Sequence, residues 1–233
     1  MISYTVFYLY LTILFISFLF SLLIYFRNNV PLYLRLFPPF LLLTLVVEIT
    51  GHILTLNNII NTSFYNFFFV VEFVFYYFVV YQFVQNAKFK KVIFYSMYTY
   101  SVIALINIFF IQGIKHLHTY TINLGALLLI SFCVYYLYEL IKRPVIKMPL
   151  REPAFWITCG LITFYSVTQP LIAAYNFAFE YNLININILA VIQITPNYIL
   201  YPSFAIAFYC YFKYGSKALM TPNQPLPTTN LTK

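Results

Sequence analysis

The sequence predicts an all-α protein, a polytopic integral membrane bundle of seven transmembrane helices with its N-terminus outside and its C-terminus in the cytoplasm. Three observations carry this. Hydrophobic residues make up 63% of the chain and charged residues 8%, whereas about a quarter of a soluble domain is charged. Seven stretches offer the roughly 20 apolar residues that a helix needs to cross the hydrocarbon core. Lys and Arg fall almost entirely in alternate segments between those stretches, the asymmetry that marks a cytoplasmic side.

In chain order, the first run, about 4–26, follows a few residues without Lys or Arg. No small-residue cleavage pattern stands behind it, so it is expected to stay as a helix. The second and third runs, about 38–57 and 62–84, are joined by a short break, Asn57 to Asn61, that makes them an antiparallel hairpin. The fourth, fifth and sixth are about 92–112, 120–141 and 154–175. The seventh, about 187–212, contains Pro196 and Pro202 and reads as one kinked span. No polar stretch is long enough for a soluble domain, so residues 1–213 form the bundle. The tail, 214–233, is rich in Pro, Thr and Asn and is expected to be disordered.

Orientation follows from charge. Arg27 and Arg35 follow the first span, and Lys88, Lys90 and Lys91 the third. Lys142, Arg143, Lys147 and Arg151 follow the fifth, and Lys213, Lys217 and Lys233 the last. Only Lys115 falls on the other side. The net charge of +8 therefore reads as a topology signal, and no nucleic-acid partner is expected. The expected setting is a bacterial cytoplasmic membrane, with the lipid bilayer as the main partner. Aromatic residues are 22% of the chain, too many for interfacial belts alone. Cys133, Cys159 and Cys210 lie inside apolar runs without CxxC spacing and read as buried thiols.

The chemistry concentrates in the hairpin. Glu48 and Glu72 each stand twelve residues from Ile60, which predicts equal depth near the bilayer middle. A charged group there costs about 2.5–3.5 kcal/mol on insertion scales and marks function by default. Thr44, Glu48, His52 and Thr55 form one helical stripe with Gly51. Tyr65 and Tyr76 share the face of Glu72. If the stripes face each other, the carboxyls share a proton or hold a cation, with His52 as the other counter-charge. The plainer reading is a polar clasp between helices that binds nothing; two carboxylates at one level favour the functional one.

A second polar stripe runs through Cys159, Thr163, Ser166, Gln169 and Pro170, and the last span adds Gln193, Pro196 and Asn197. Gln169, Gln193 and Asn197 are candidate lining of a wet or ligand-bearing interior. His116, His118 and Glu180 make a weak candidate metal chelate on the outer side. Glu139, three and four residues before Lys142 and Arg143, reads as a solvated ion pair. No cofactor is expected, and no catalytic nucleophile and base stand together.

Several families are excluded. The last span lacks the Schiff-base Lys of a retinal protein. The chain has no Asp and one intramembrane His, against the zinc set of a ceramidase-type hydrolase. The Pro-Gln signature of seven-span sugar carriers is absent, since Gln169-Pro170 has the reverse order. What remains is a receptor-like or sensory component whose carboxylate site responds to a proton, an ion or an apolar ligand. It would act through a separate cytoplasmic partner. A proton- or ion-coupled transporter is the alternative, and a lipid-modifying enzyme the weaker one. Sensing stands ahead because neither an internal repeat nor a second charged half-site is visible, as transporters often have.

Overall fold

The structure is a computed structural model that describes residues 4–114, 116–142, 149–180 and 194–215, with 1–4 and 174–180 outside the description of side chains. Its described elements are all helical. They are α1 (Tyr4–Leu22), extended by a 3-10 turn at Leu23–Phe26; α2 (Leu32–Leu56); α3 (Thr62–Phe83); and α4 (Ala87–Ile106), which ends in a π turn at Asn107–Ile111. Then come α5 (Thr119–Ile141), a 3-10 turn at Pro149–Arg151, α6 (Pro153–Glu180) and α7 (Asn197–Tyr214). Six of these, α1 to α6, are long and apolar enough to cross a membrane. In α7, Asn197, Pro202, Lys213 and the tyrosines dilute the apolar character.

Several boundaries differ from those read off the sequence: α6 runs to Glu180 instead of 175, and α7 begins at Asn197 with Pro196 as its N-cap. Helix α2 starts at Leu32, before Pro38 and Pro39, instead of at 38. The prolines remove two backbone donors, but Tyr33, Leu34 and Phe37 bury the turn that precedes them and hold it helical. Helix α4 starts at Ala87 instead of 92, because the Asn86 side chain accepts from the backbone N–H groups of Lys88 and Phe89 and caps the helix. Residues 187–193, which include Gln193, and 216–233 of the tail lie outside the described residues.

Neighbouring helices in sequence run antiparallel. Phe7 of α1 meets His52 near the end of α2, and Tyr33 near the start of α2 meets Phe83 at the end of α3. Helices α1 and α7 run parallel: the Tyr198 hydroxyl donates to the Val6 carbonyl at 2.8 Å near one end, and the Arg27 guanidinium donates to the Phe212 carbonyl at the other. Every described Lys and Arg stands at the end that holds Arg27, while the opposite end holds none among the described residues. That is the separation a bilayer imposes. The outward faces are apolar, with Leu19, Val46, Ile53, Val102, Leu127 and Val134 all exposed, as lipid contact requires.

Glu139 is not a solvated ion pair with Lys142. Its carboxylate accepts from the backbone N–H groups of Gln85 and Asn86, both at 2.8 Å, and ties α5 to the α3–α4 connection. Those donors have no helical carbonyl to meet, so a charged acceptor is worth more there than a lysine is to Glu139. The Lys142 ammonium instead donates to the Tyr138 hydroxyl and lies 4.3 Å from that ring's centre.

The core is aromatic. Phe37 of α2, fully buried, meets Phe75 of α3 and Phe204 and Phe208 of α7 edge to face, at 5.1, 5.2 and 5.5 Å between centroids. Phe40 stacks on Phe75 at 3.8 Å. This layer lies between the basic end and the carboxyls, and closes the core beneath them.

Candidate functional site: two carboxyls among tyrosines

Glu48 reaches into the bundle because Gly51, one turn on, leaves room for a ring. A Cβ at Gly51 would stand 2.1 Å from the Tyr65 hydroxyl oxygen and 2.6 Å from its ring carbon, so Tyr65 of α3 lies directly over this glycine. From there its hydroxyl donates to Glu48 Oε2 at 3.4 Å. The Tyr10 hydroxyl, from α1, approaches the same carboxyl. Tyr10 is 3% exposed, which puts its phenol in the core and not at the interface.

Glu72 is buried on α3. The Tyr76 hydroxyl, one turn on, and the Tyr165 hydroxyl of α6 face its carboxyl, and Tyr100 of α4 lies within electrostatic range. The Tyr165 oxygen is buried with no hydrogen-bond partner among the described residues. Tyr201 of α7 is buried and packs against Tyr10, with ring centroids 5.8 Å apart.

The two carboxyls are staggered along the bundle. Tyr33 meets Phe83, Phe40 meets Phe75 and Glu48 meets Tyr65. That register puts Glu72 about a turn deeper than Glu48, roughly 7 Å at 1.5 Å per residue. Equal distance from Ile60 does not give equal depth, because the seating of Tyr65 over Gly51 sets the register.

The other residues singled out in the sequence scatter. The Thr44 hydroxyl donates to its own helix, to the Phe40 carbonyl at 3.0 Å. The His52 ring stacks on Phe7 of α1 with centroids 4.2 Å apart. Asn197 donates to the Ile194 carbonyl one turn before Tyr201, and Gln169 is half-buried one turn beyond Tyr165. On α6, Ser166 is exposed, while the buried face carries Thr158, Leu161, Tyr165 and Thr168.

On the loop between α4 and α5, His116 is exposed and His118 is buried, its Nε2 2.8 Å from the Gly113 carbonyl oxygen. Asn66 of α3 clasps that loop, donating to the His116 carbonyl and accepting from the His118 N–H. The Glu180 side chain lies outside the described residues, and among those described no three His, Cys, Asp or Glu gather as a metal site would require.

Reading the sequence alone missed Tyr10, Tyr100, Tyr165 and Tyr201. The last two stand one turn from Gln169 and Asn197, so helical spacing from those residues points to them. It also missed Glu152, 4% exposed at the start of α6, whose Oε1 accepts from the Tyr136 hydroxyl at 3.1 Å. An acid among basic residues next to a helix-starting proline was its only signal.

Comparison with known protein families, curated proteins and solved structures finds no match to this chain. The site has to be read from its own chemistry.

Gly51→Ala is expected to cost about 1–3 kcal/mol, because the Tyr65 ring has to leave its seat. Tyr65→Phe removes only the hydroxyl and should cost about 1 kcal/mol. Unfolding free energies in mixed micelles compare the two, and equal costs would show that the ring does not depend on Gly51.

Proposed function

We propose that this is a seven-span membrane protein, N-terminus outside and C-terminus in the cytoplasm, that acts as a receptor-like or sensory component by binding a proton at Glu48 and Glu72. One observation carries the reading: Glu72 is buried on α3, Glu48 of the neighbouring α2 accepts from the Tyr65 hydroxyl, and Tyr10 of α1 packs against Tyr201 of α7 in the same core. Phenol hydroxyls donate to an ionised carboxylate and accept from a protonated one, so the ring of tyrosines can serve both states and exchange partners between them. Because these tyrosines come from α1, α3, α6 and α7, a change of protonation alters contacts between helices. That is how a buried proton site moves a bundle. The packed aromatic layer around Phe37 supports sensing over carriage, since a carrier needs a way through.

The seven-span topology is supported by the parallel course of α1 and α7 and by the basic residues at one end. Six successive antiparallel helices would leave the chain on the outer side, and α7 would return it. A periplasmic phosphatase fused after Asn86 should be inactive and one fused after Gly113 active. The reverse pattern overturns the orientation.

The chain has five acidic side chains, all Glu, so carboxyl infrared bands are few enough to assign. Acid–base difference spectra of the purified protein should contain a protonated-carboxyl band that Glu72→Gln removes and a second that Glu48→Gln removes. Spectra unchanged by both substitutions would sink the proton-binding reading.

A further inference from the structure

A groove of about 440 Å³ runs between α1 and α7 on the lipid-facing side, lined by Ile13, Ile16 and Phe20 of α1 and by Pro202, Ile206 and Tyr209 of α7 with Ala205. Its walls are apolar apart from the Tyr209 phenol. The spacing of 202, 206, 209 and 213 along α7 is that of one helical face, so the row leads to Lys213. The Lys213 ammonium lies 5.6 Å from the Tyr209 ring centre and 5.5 Å from that of Tyr214. On α1 the row Ile13, Ile16 and Phe20 runs toward the 3-10 turn Leu23–Phe26, and Arg27 follows that turn. Arg27 caps the Phe212 carbonyl and lies over the Phe212 ring, so it stands beside Lys213 at the same end.

The dimensions match a lipid. From Pro202 to Lys213 the helix rises roughly 16 Å, half of a hydrocarbon core about 30 Å thick, so the groove has the depth of one leaflet. The charges match as well. Arg27, Arg151 and Lys213 gather at this corner, with Arg151 over Tyr214. The carboxylates of that end are held elsewhere, Glu139 on the Gln85 and Asn86 backbone and Glu152 against Tyr136. Lys213 faces phenol rings and no acid among the described residues.

We propose that this groove is a binding site for an anionic phospholipid, with one acyl chain lying between α1 and α7 and the phosphate headgroup held by Lys213 with Arg27 beside it. The site is separate from the carboxyls: it is on the outside of the bundle and would stand if the proton-binding reading failed. A zwitterionic lipid would fill the same groove, but its own cation offsets the phosphate and weakens the pull of Lys213. The preference for net negative charge is therefore the signature of the site.

Native mass spectrometry of the delipidated full chain, titrated with phosphatidylglycerol or phosphatidylcholine, tests this. The unaltered protein should bind phosphatidylglycerol more tightly. Lys213→Gln, at an exposed position, should lose about fivefold of that preference, the factor that one cation near an anionic surface is worth. Lys91→Gln, an exposed lysine on α4 away from the groove, should lose none. Filling the groove from either wall, by Ala205→Trp or by Ile16→Trp, should weaken the first binding event for both lipids. Equal affinity for the two lipids, an equal loss in Lys91→Gln, or full binding in both tryptophan variants would each overturn the proposal.

Discussion

Phe37→Ala is expected to destabilise the bundle by about 2–3 kcal/mol, the most costly single truncation on α2. In a soluble core such a change costs roughly 3–5 kcal/mol, the lost transfer energy plus the cavity left behind. Here the separated helices stay in lipid, which is as apolar as the core, so little transfer energy is at stake. What remains is lost contact, and Phe37 has much to lose: it is fully buried and meets one ring of α3 and two of α7 edge to face. These rings come from two other helices, so no single side chain can move in to fill the hole. Phe37→Leu keeps most of the volume and should cost less than half as much. Unfolding by an anionic detergent in mixed micelles measures both. A small and equal cost for the two variants would mean that the ring does not bridge α2, α3 and α7.

Glu48→Gln and Glu72→Gln are expected to be strongly non-additive, with a coupling of about 1 kcal/mol at alkaline pH. The cause is the repulsion expected between two carboxylates on neighbouring helices in a core. Where both are ionised they repel each other in a medium that screens little, and either substitution removes that repulsion in full. Once one is gone, the second has only its own local contacts to lose, such as the hydrogen bond from Tyr65 to Glu48. Acid that protonates both groups removes the repulsion, so the coupling should shrink as pH falls. A double-mutant cycle of unfolding free energies at several pH values reads this out. Additive effects at every pH would show that the two carboxyls do not sense each other, and the proposed centre of this protein would be lost. If the variants instead keep the coupling but leave the infrared bands in place, the pair is a structural clasp.

Much of the architecture was legible because a bilayer leaves a chain few choices. With no water to satisfy backbone groups, apolar runs of this length become helices, and α3 and α5 fall within a residue of the expected 62–84 and 120–141. The early starts of α2 and α4 escaped because they depend on local devices: buried rings ahead of Pro38, and the Asn86 side chain on the backbone of Lys88 and Phe89. Glu139 does more than its spacing from Lys142 and Arg143 shows, Arg143 lying outside the described residues. Spacing along one helix shows which lysine is near, but not that two orphaned amides of another connection are nearer.

For the site, sequence alone determined the two costly residues. Glu48 and Glu72 stand out because carboxyls inside apolar runs are expensive wherever the helices end up. Helix pitch also pointed to Tyr76 beside Glu72, but Tyr65, expected on the same face, meets Glu48 instead. Tertiary structure alone decided which groups from other helices complete the site. Tyr10, Tyr165 and Tyr201 lie far away in sequence and resemble many of the 24 tyrosines in the chain until packing buries them. It also decided that His52 goes to Phe7 and Thr44 to its own helix. The stagger of the carboxyls was likewise beyond counting residues, because helix register is fixed by how side chains interlock, here Tyr65 over Gly51, and that contact exists only once the two helices are packed.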